Sequence, residues 1–297
     1  MKEKEKVALI KPKMTKSQKR DIIFYCILLA WPILQFCVFY IGVNLTSLII
    51  GFRENGTGSF TFDYFVQFFT NFSIDKSWGD ALAHSIYAYL LTVVVSVPLA
   101  LLFSYYIYKK LFGSSFFKIA LFLPSILSAL VLSSILITFA SKTGWGDFLR
   151  DETKSFFIIM AFNIWMSFGT NVLMYSNAMS QISPEVIEAS RLDGATPIHE
   201  FFHIILPSIY PTLTVFLIVG FAGLFVNQFN LLNFYGLGGA EWETIGYKLY
   251  CLAFSTRNSD VAARAPYAAY GVALTLIAVP FTYLVKFLLE KFGPSDK

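Results

Sequence analysis

Six long apolar runs, separated by polar breaks, leave this chain few folds to choose from. They cover residues 22–50, 81–107, 117–140, 155–179, 208–235 and 266–289. At about 1.5 Å of rise per residue, each is long enough to cross roughly 30 Å of hydrocarbon as a helix. Lipid offers the backbone no hydrogen-bond partner, so a spanning segment must satisfy its own amides and carbonyls, and unbroken runs of this length do so as helices. Composition agrees: 56% of residues are hydrophobic, 14% are charged, and the mean hydropathy is +0.61. No soluble core hides that much apolar surface, so the reading is an all-α polytopic membrane protein with six spans. The 32 Phe and 16 Tyr suit lipid-facing and interfacial positions.

Charge placement orients the spans. Residues 1–20 carry eight Lys or Arg without apolar periodicity and read as a basic, disordered cytoplasmic tail. The first run lacks a small-residue cleavage site and reads as an uncleaved span, kinked at Pro32. With both termini inside, Lys109, Lys110, Lys118 and the C-terminal lysines join the tail on the inner side and outnumber the cations of the outer loops. Residues 51–80 read as an outer polar and aromatic loop containing FTFDYFVQFF. No basic stripe with interleaved aromatics points to nucleic acid. Cys26, Cys37 and Cys251 lack metal-ligand spacing and read as membrane thiols.

Between the fourth and fifth runs lies the longest polar break of the second half, 181–208. Ser183-Pro184 reads as a capped helix start with Glu185 in the favourable first turn, and Thr196-Pro197 repeats that start. Gly194 between them suits a left-handed helix end, so the stretch reads as two short helices bent into an elbow.

The elbow's residues resemble a known pattern. Glu188-Ala189-Ser190, three residues, Gly194, nine residues, then Ile204-x-Leu206-Pro207 is similar to the EAA loop of binding-protein-dependent ABC importer permeases, with Ser190 where a second alanine is usual and Asp193-Gly194-Ala195 for the family's Asp-Gly-Ala. The number of spans and the Gly236-Leu237-Gly238-Gly239 loop resemble the carbohydrate-uptake subfamily. Ala240 stands where that loop often has proline, and the basic tail, Pro32 and FTFDYF loop look like the F-type subunit of the maltose permease. The resemblance implies one permease domain over 21–297, in a bacterial cell membrane. The elbow would dock in an ATPase groove through Glu188, Ala189, Ser190, Asp193, Gly194 and Ala195. It also implies a second, related permease chain, two ATPases, an extracytoplasmic solute-binding protein and a sugar substrate. The chain has no G-x-x-x-x-G-K-[ST] and so no phosphate cradle of its own, which leaves ATP and Mg to the ATPases.

A sugar passage needs amides, hydroxyls and aromatic faces, and polar groups in a span face protein or water rather than lipid. The fourth and fifth runs hold such groups, including Gln228 and Asn230. The maltose-permease pattern of substrate contacts falls on Asn163, Met166, Ser167 and Thr170, and on Gly220, Leu224 and Asn227. Of these, Asn163 and Asn227 keep an expected amide, and Thr170 is smaller than the usual aromatic. Membrane-embedded charge is absent from these runs, which argues against a proton or sodium relay. Two alternatives stand beside this reading: the same kind of permease for a non-sugar solute, and an intramembrane zinc protease. The second rests on His199-Glu200-x-x-His203, an H-E-x-x-H that on a helix sets two imidazoles one turn apart beside a general base.

Overall fold

A computed structural model describes residues 16–54, 58–255 and 264–294. Most of the expected tail, residues 1–15, lies outside these, and helix α1 (Lys16–Gln35) already begins inside the stretch read as tail. Residues up to Ile50 form one compact unit and Gly51 onward another. In the first, α1 contains Pro32 and passes through a π-helical stretch, Phe36–Gly42, into α2 (Val43–Gly51). A proline interior to a helix removes a backbone donor, and local widening is a recognised way to absorb the loss.

In the second unit, the stretch read as an outer loop is more structured than its composition suggested. Residues Asp63–Ile74 form α3, whose Phe68 is buried and whose Asn71 donates to Tyr270 Oη at 2.9 Å. Helix α4 (Lys76–Leu91) starts on a true cap, with Asp75 accepting from the Ser77 amide at 2.9 Å. It runs through a π turn at Thr92–Ser96 into α5 (Val97–Tyr108), making one long span. Helix α8 (Glu152–Met179) is capped by Asp151 on the Lys154 amide, and α15 (Ala265–Phe292) is the last span.

Two expected spans are not straight. Helices α6 (Ser114–Ile126) and α7 (Ala129–Thr143) meet at 92°, because Leu127 and Ser128 are extended just after Pro124. The fifth span ends early. After the elbow's α9 (Pro184–Leu192), α10 (Pro197–Glu200), a π turn at Phe201–Ile205 and α11 (Leu206–Ser208), helix α12 (Tyr210–Gly223) turns by 66°. It stops at Gly223 instead of reaching 235; short α13 (Leu231–Tyr235) and α14 (Ile245–Ser255) follow. Among the described residues, four helices are long and apolar enough to cross a membrane, or up to six spans if each bent pair counts as one.

Among the described residues, three clusters gather most of the buried apolar side chains. One joins Ala100, Leu101 and Ile107 of α5 with Val172, Tyr175 and Met179 of α8 and Ile187, Phe201, Ile205 and Ile209 of the elbow region. A second packs α3 and α4 on α14 and α15 around Phe68, Trp78, Ile245 and Tyr270. The third surrounds Ile159, Met160, Trp242 and Tyr247. Between the clusters, hydroxyls close on their own helix: Ser85 donates to the Ala81 carbonyl at 2.9 Å and Thr92 to that of Ala88 at 2.9 Å. In lipid an unpaired hydroxyl is costly, and this back-bonding removes the cost locally.

Candidate functional site

The elbow is built from backbone chemistry upward. Pro184 fits the first helical position of α9, but Ser183 does not cap it: its hydroxyl donates to Glu185 Oε2 at 2.7 Å. Gly194 has φ +81°, the left-handed conformation expected of it, and no atom lies where a side chain would go. Thr196 restarts the chain by accepting from the His199 amide at 3.3 Å. Two limbs bent about Gly194 result.

The two faces of the elbow differ. Ile187 and Ser190 turn inward, and Ser190 donates to the Ile187 carbonyl at 2.8 Å. Glu188, Ala189, Asp193 and Gly194 are exposed and Ala195 is half-buried. Exposed apolar side chains surround them: Val186, Leu192 at 89% and Ile198 at 72%. An exposed apolar patch with carboxylates among it is a surface suited to protein.

Behind that face sits a group the sequence did not single out for this purpose. Glu200 is 2% exposed. Its Oε1 meets Lys109 Nζ, just past α5, and its Oε2 lies 3.7 Å from Arg191 Nε on α9. The Tyr105 hydroxyl donates to the Pro197 carbonyl at 3.2 Å, and its ring lies 5.2 Å from that of Phe201. The zinc reading fails on this geometry. His199 and His203 stack with ring centroids 4.1 Å apart, and the glutamate that would act as base is engaged with two cations. Among the described residues, no three His, Cys, Asp or Glu come together as a metal site.

The pathway candidates fall into two groups. On α8, Ser167 and Thr170 are exposed and Met166 is half-buried, while Ser167 donates to the Asn163 carbonyl at 2.9 Å. Gly220 on α12 is exposed, with the Tyr89 ring 3.4 Å from where its Cβ would be; Leu224 is buried. Of the amides expected to line a passage, those of Asn163 and Asn230 make bonds within the chain. Asn163 Nδ2 donates to the carbonyls of Ile159 at 2.7 Å and Phe229 at 2.8 Å, and its Oδ1 accepts from Asn230 at 2.7 Å. Asn233 extends the chain onto Asn230 at 3.0 Å. Asn227 Oδ1 accepts from the Phe229 amide at 2.8 Å, and the Asn227 carbonyl accepts from Thr244 at 2.9 Å. The Gln228 carbonyl accepts from the Leu231 amide at 2.9 Å. This network holds the break after α12, where Phe229 and Asn230 have φ of 45° and 59°, against α8. Asn163 and Asn230 are thus brought together, and the exposed stripe of Ser167 and Thr170 runs from them toward the elbow.

The architecture and its elbow have relatives. The chain is 28% identical to the probable ABC transporter permease protein MG188 homolog of Mycoplasma pneumoniae, over 68% of this chain and 69% of that one. It is 24% identical to the probable starch degradation products transport system permease protein AmyD of Thermoanaerobacterium thermosulfurigenes, over 94% of this chain and 98% of that one. It is also 24% identical to the arabinooligosaccharides transport system permease protein AraP of Bacillus subtilis, over 89% of this chain and 87% of that one. A crystal structure of a bacterial ABC transporter involved in the import of the acidic polysaccharide alginate contains a chain with the same fold, at a TM-score of 0.70 and 18% identity, covering 93% of this chain and 98% of that one. Residues 92–294, which include both limbs of the elbow and every pathway candidate, match one protein family, and the chain belongs to it: the binding-protein-dependent transport system inner membrane component.

Proposed function

We propose that this chain is the permease subunit of an ATP-driven ABC importer for a sugar or oligosaccharide, working by alternating access. The observation that carries the proposal is the elbow: a projection bent at Gly194 and capped at Thr196, whose outward face is apolar and acidic and whose inward face is locked into the spans. The relatives named for starch degradation products and arabinooligosaccharides support the substrate class. ATP and Mg bind on two separate ATPase chains, one of which receives the elbow through Glu188, Ala189, Asp193, Gly194 and Ala195, while Ser190, turned inward, braces α9 behind that face. A related permease chain completes the passage and an extracytoplasmic binding protein delivers the sugar. Both termini and the elbow lie in the cytoplasm. Ser167 and Thr170, with Met166, Gly220 and Leu224, line or shape the passage, and the side chains of Asn163, Asn227 and Asn230, with the Gln228 carbonyl, set its geometry at the break.

Two measurements test this. Tagged chain purified from its own membranes is expected to carry an ATPase and a second permease, and vesicles holding the assembly are expected to take up labelled oligosaccharide only with binding protein and ATP. Cysteine at Glu188, in a chain whose Cys26, Cys37 and Cys251 are serine, is expected to resist an impermeant maleimide on intact cells. Labelling from outside would overturn the orientation, and ATP-independent uptake by the chain alone would overturn the mechanism.

A further inference from the structure

The chain links the elbow directly to α8 on one side and to α12 on the other, but not to α5. A push on the elbow reaches α8 and α12 along the backbone and reaches α5 only through space. Part of that gap is bridged by apolar packing, since Ile107 of α5 shares a cluster with Ile187, Phe201 and Ile205. The hydrophobic attraction behind such packing is non-directional.

The polar bridges have direction: Ser104 of α5 donates to the Val172 carbonyl of α8 at 3.0 Å, and a second set joins α5 to the elbow itself. One buried carboxylate, Glu200 on α10, joins Lys109 at the end of α5 and Arg191 on α9. Lys109 is itself held, with its Nζ 5.3 Å from the centroid of the Tyr105 ring, and Tyr105 bonds the Pro197 carbonyl at the start of α10. Three segments thus meet at a single charge that is nine-tenths hidden from water. A buried ion pair is a poor way to gain stability, because desolvation offsets the attraction; what it does provide is a fixed geometry between the groups it joins. We propose that Glu200 is a positioning residue for coupling: by holding Lys109 it obliges α5 to move with the elbow when the ATPases close. This rests on the reading that the elbow docks on an ATPase.

The test uses the assembled transporter, purified through this chain and reconstituted with binding protein and sugar. The readout is sugar transported per ATP hydrolysed. In Lys109→Met/Glu200→Met, apolar side chains of similar length replace the pair, a change that leaves folded stability level or improved. The expected result is normal assembly with a ratio at least about fivefold lower, the scale of an ordinary coupling between sites. Glu200→Gln is expected to lower the ratio as well. Spin labels at Leu102 on α5 and Met174 on α8, both exposed, are expected to keep their separation on ATP binding in the wild type and to change it in the double variant, where α8 follows the elbow and α5 lags. Labels at Met174 and Val219 on α12, both joined to the elbow by the backbone, are expected to respond alike in wild type and double variant. An unchanged ratio with α5 still in step with α8 in the double variant overturns the proposal. So does failure of the double variant to assemble, because the pair would then serve the fold alone. Glu188→Lys separates the two readings, since it alters the exposed face and leaves the junction intact. Coupling that survives Glu188→Lys removes the docking reading; coupling lost there but kept in the double variant removes only the role of Glu200.

Discussion

Helices α6 and α8 cross most closely at Gly169, and Gly169→Ala measures how much depends on that approach. A Cβ on Gly169 would stand 2.1 Å from the Leu121 carbonyl oxygen, 2.5 Å from its carbon and 2.6 Å from Phe122 Cα. All three are backbone atoms, so no side-chain rotation relieves the clash. One helix must retreat by roughly 1 Å before the contacts become ordinary. Overpacking of this kind costs about 1–3 kcal/mol, and a rigid backbone neighbour places it at the upper end. Against that, alanine gains about 1 kcal/mol over glycine in helix propensity, leaving a net loss of about 2 kcal/mol. Gly220→Ala is the matched control, because its Cβ would meet the edge of the Tyr89 ring at 3.4 Å, an ordinary contact. Thermal unfolding of the detergent-purified chain, followed by monodisperse recovery on gel filtration, should place Gly169→Ala clearly below wild type and Gly220→Ala at or above it. Gly169→Val should fall further still. Equal midpoints for Gly169→Ala and wild type would refute the reasoning, since the two helices could then not be as close as described.

Three further outcomes follow from other positions. Gly194→Val should destabilise the elbow by about 1–2 kcal/mol through its φ of +81° alone, there being no steric neighbour, and Gly194→Asn should be tolerated; melting midpoints of the two variants decide this. Asn163→Ala removes two donated bonds and one accepted bond, and should cost about 2–3 kcal/mol and loosen the break after α12, read as faster hydrogen exchange at Phe229 and Asn230. The hydroxyl of Ser77 and then its amide hold the Asp75 carboxyl below its ordinary value, so the cap stabilises the start of α4 above the usual carboxylate range and weakens as pH falls through the lowered pKa. The carboxyl carbon shift of Asp75 should titrate low in the wild type and move upward in Ser77→Ala.

Much of this architecture was legible in the chain, for reasons that can be located. Spans without an internal break (19–51, 76–108, 152–179 and 265–292) follow from apolar length, which lipid enforces directly. The third and fifth runs were equally apolar yet bent, because the turn at Leu127-Ser128 and the stop at Gly223 depend on backbone geometry that hydropathy does not register. In the elbow, Gly194 and Thr196 behave as their local chemistry dictates, whereas the Ser183 hydroxyl prefers Glu185 to the backbone. Glu200 could not be read correctly at all. Its partner Lys109 lies 91 residues away, and only its spacing from two histidines was visible. The amides of Asn163 and Asn230 were marked for a passage; they bond each other, and Asn163 also donates to the carbonyls of Ile159 and Phe229, and backbone carbonyls leave no trace in a sequence.

The clamp between Asn163 and the loop at Phe229 has a consequence for how such a protein can diversify. Helices α8 and α12 are tied at one extremity by the elbow and at the other by that clamp, so together they make a closed frame, like a ladder with both end rungs in place. Ser167 and Thr170 sit between the rungs and carry no part of the bracing across it. Their side chains can therefore be exchanged without loosening the frame.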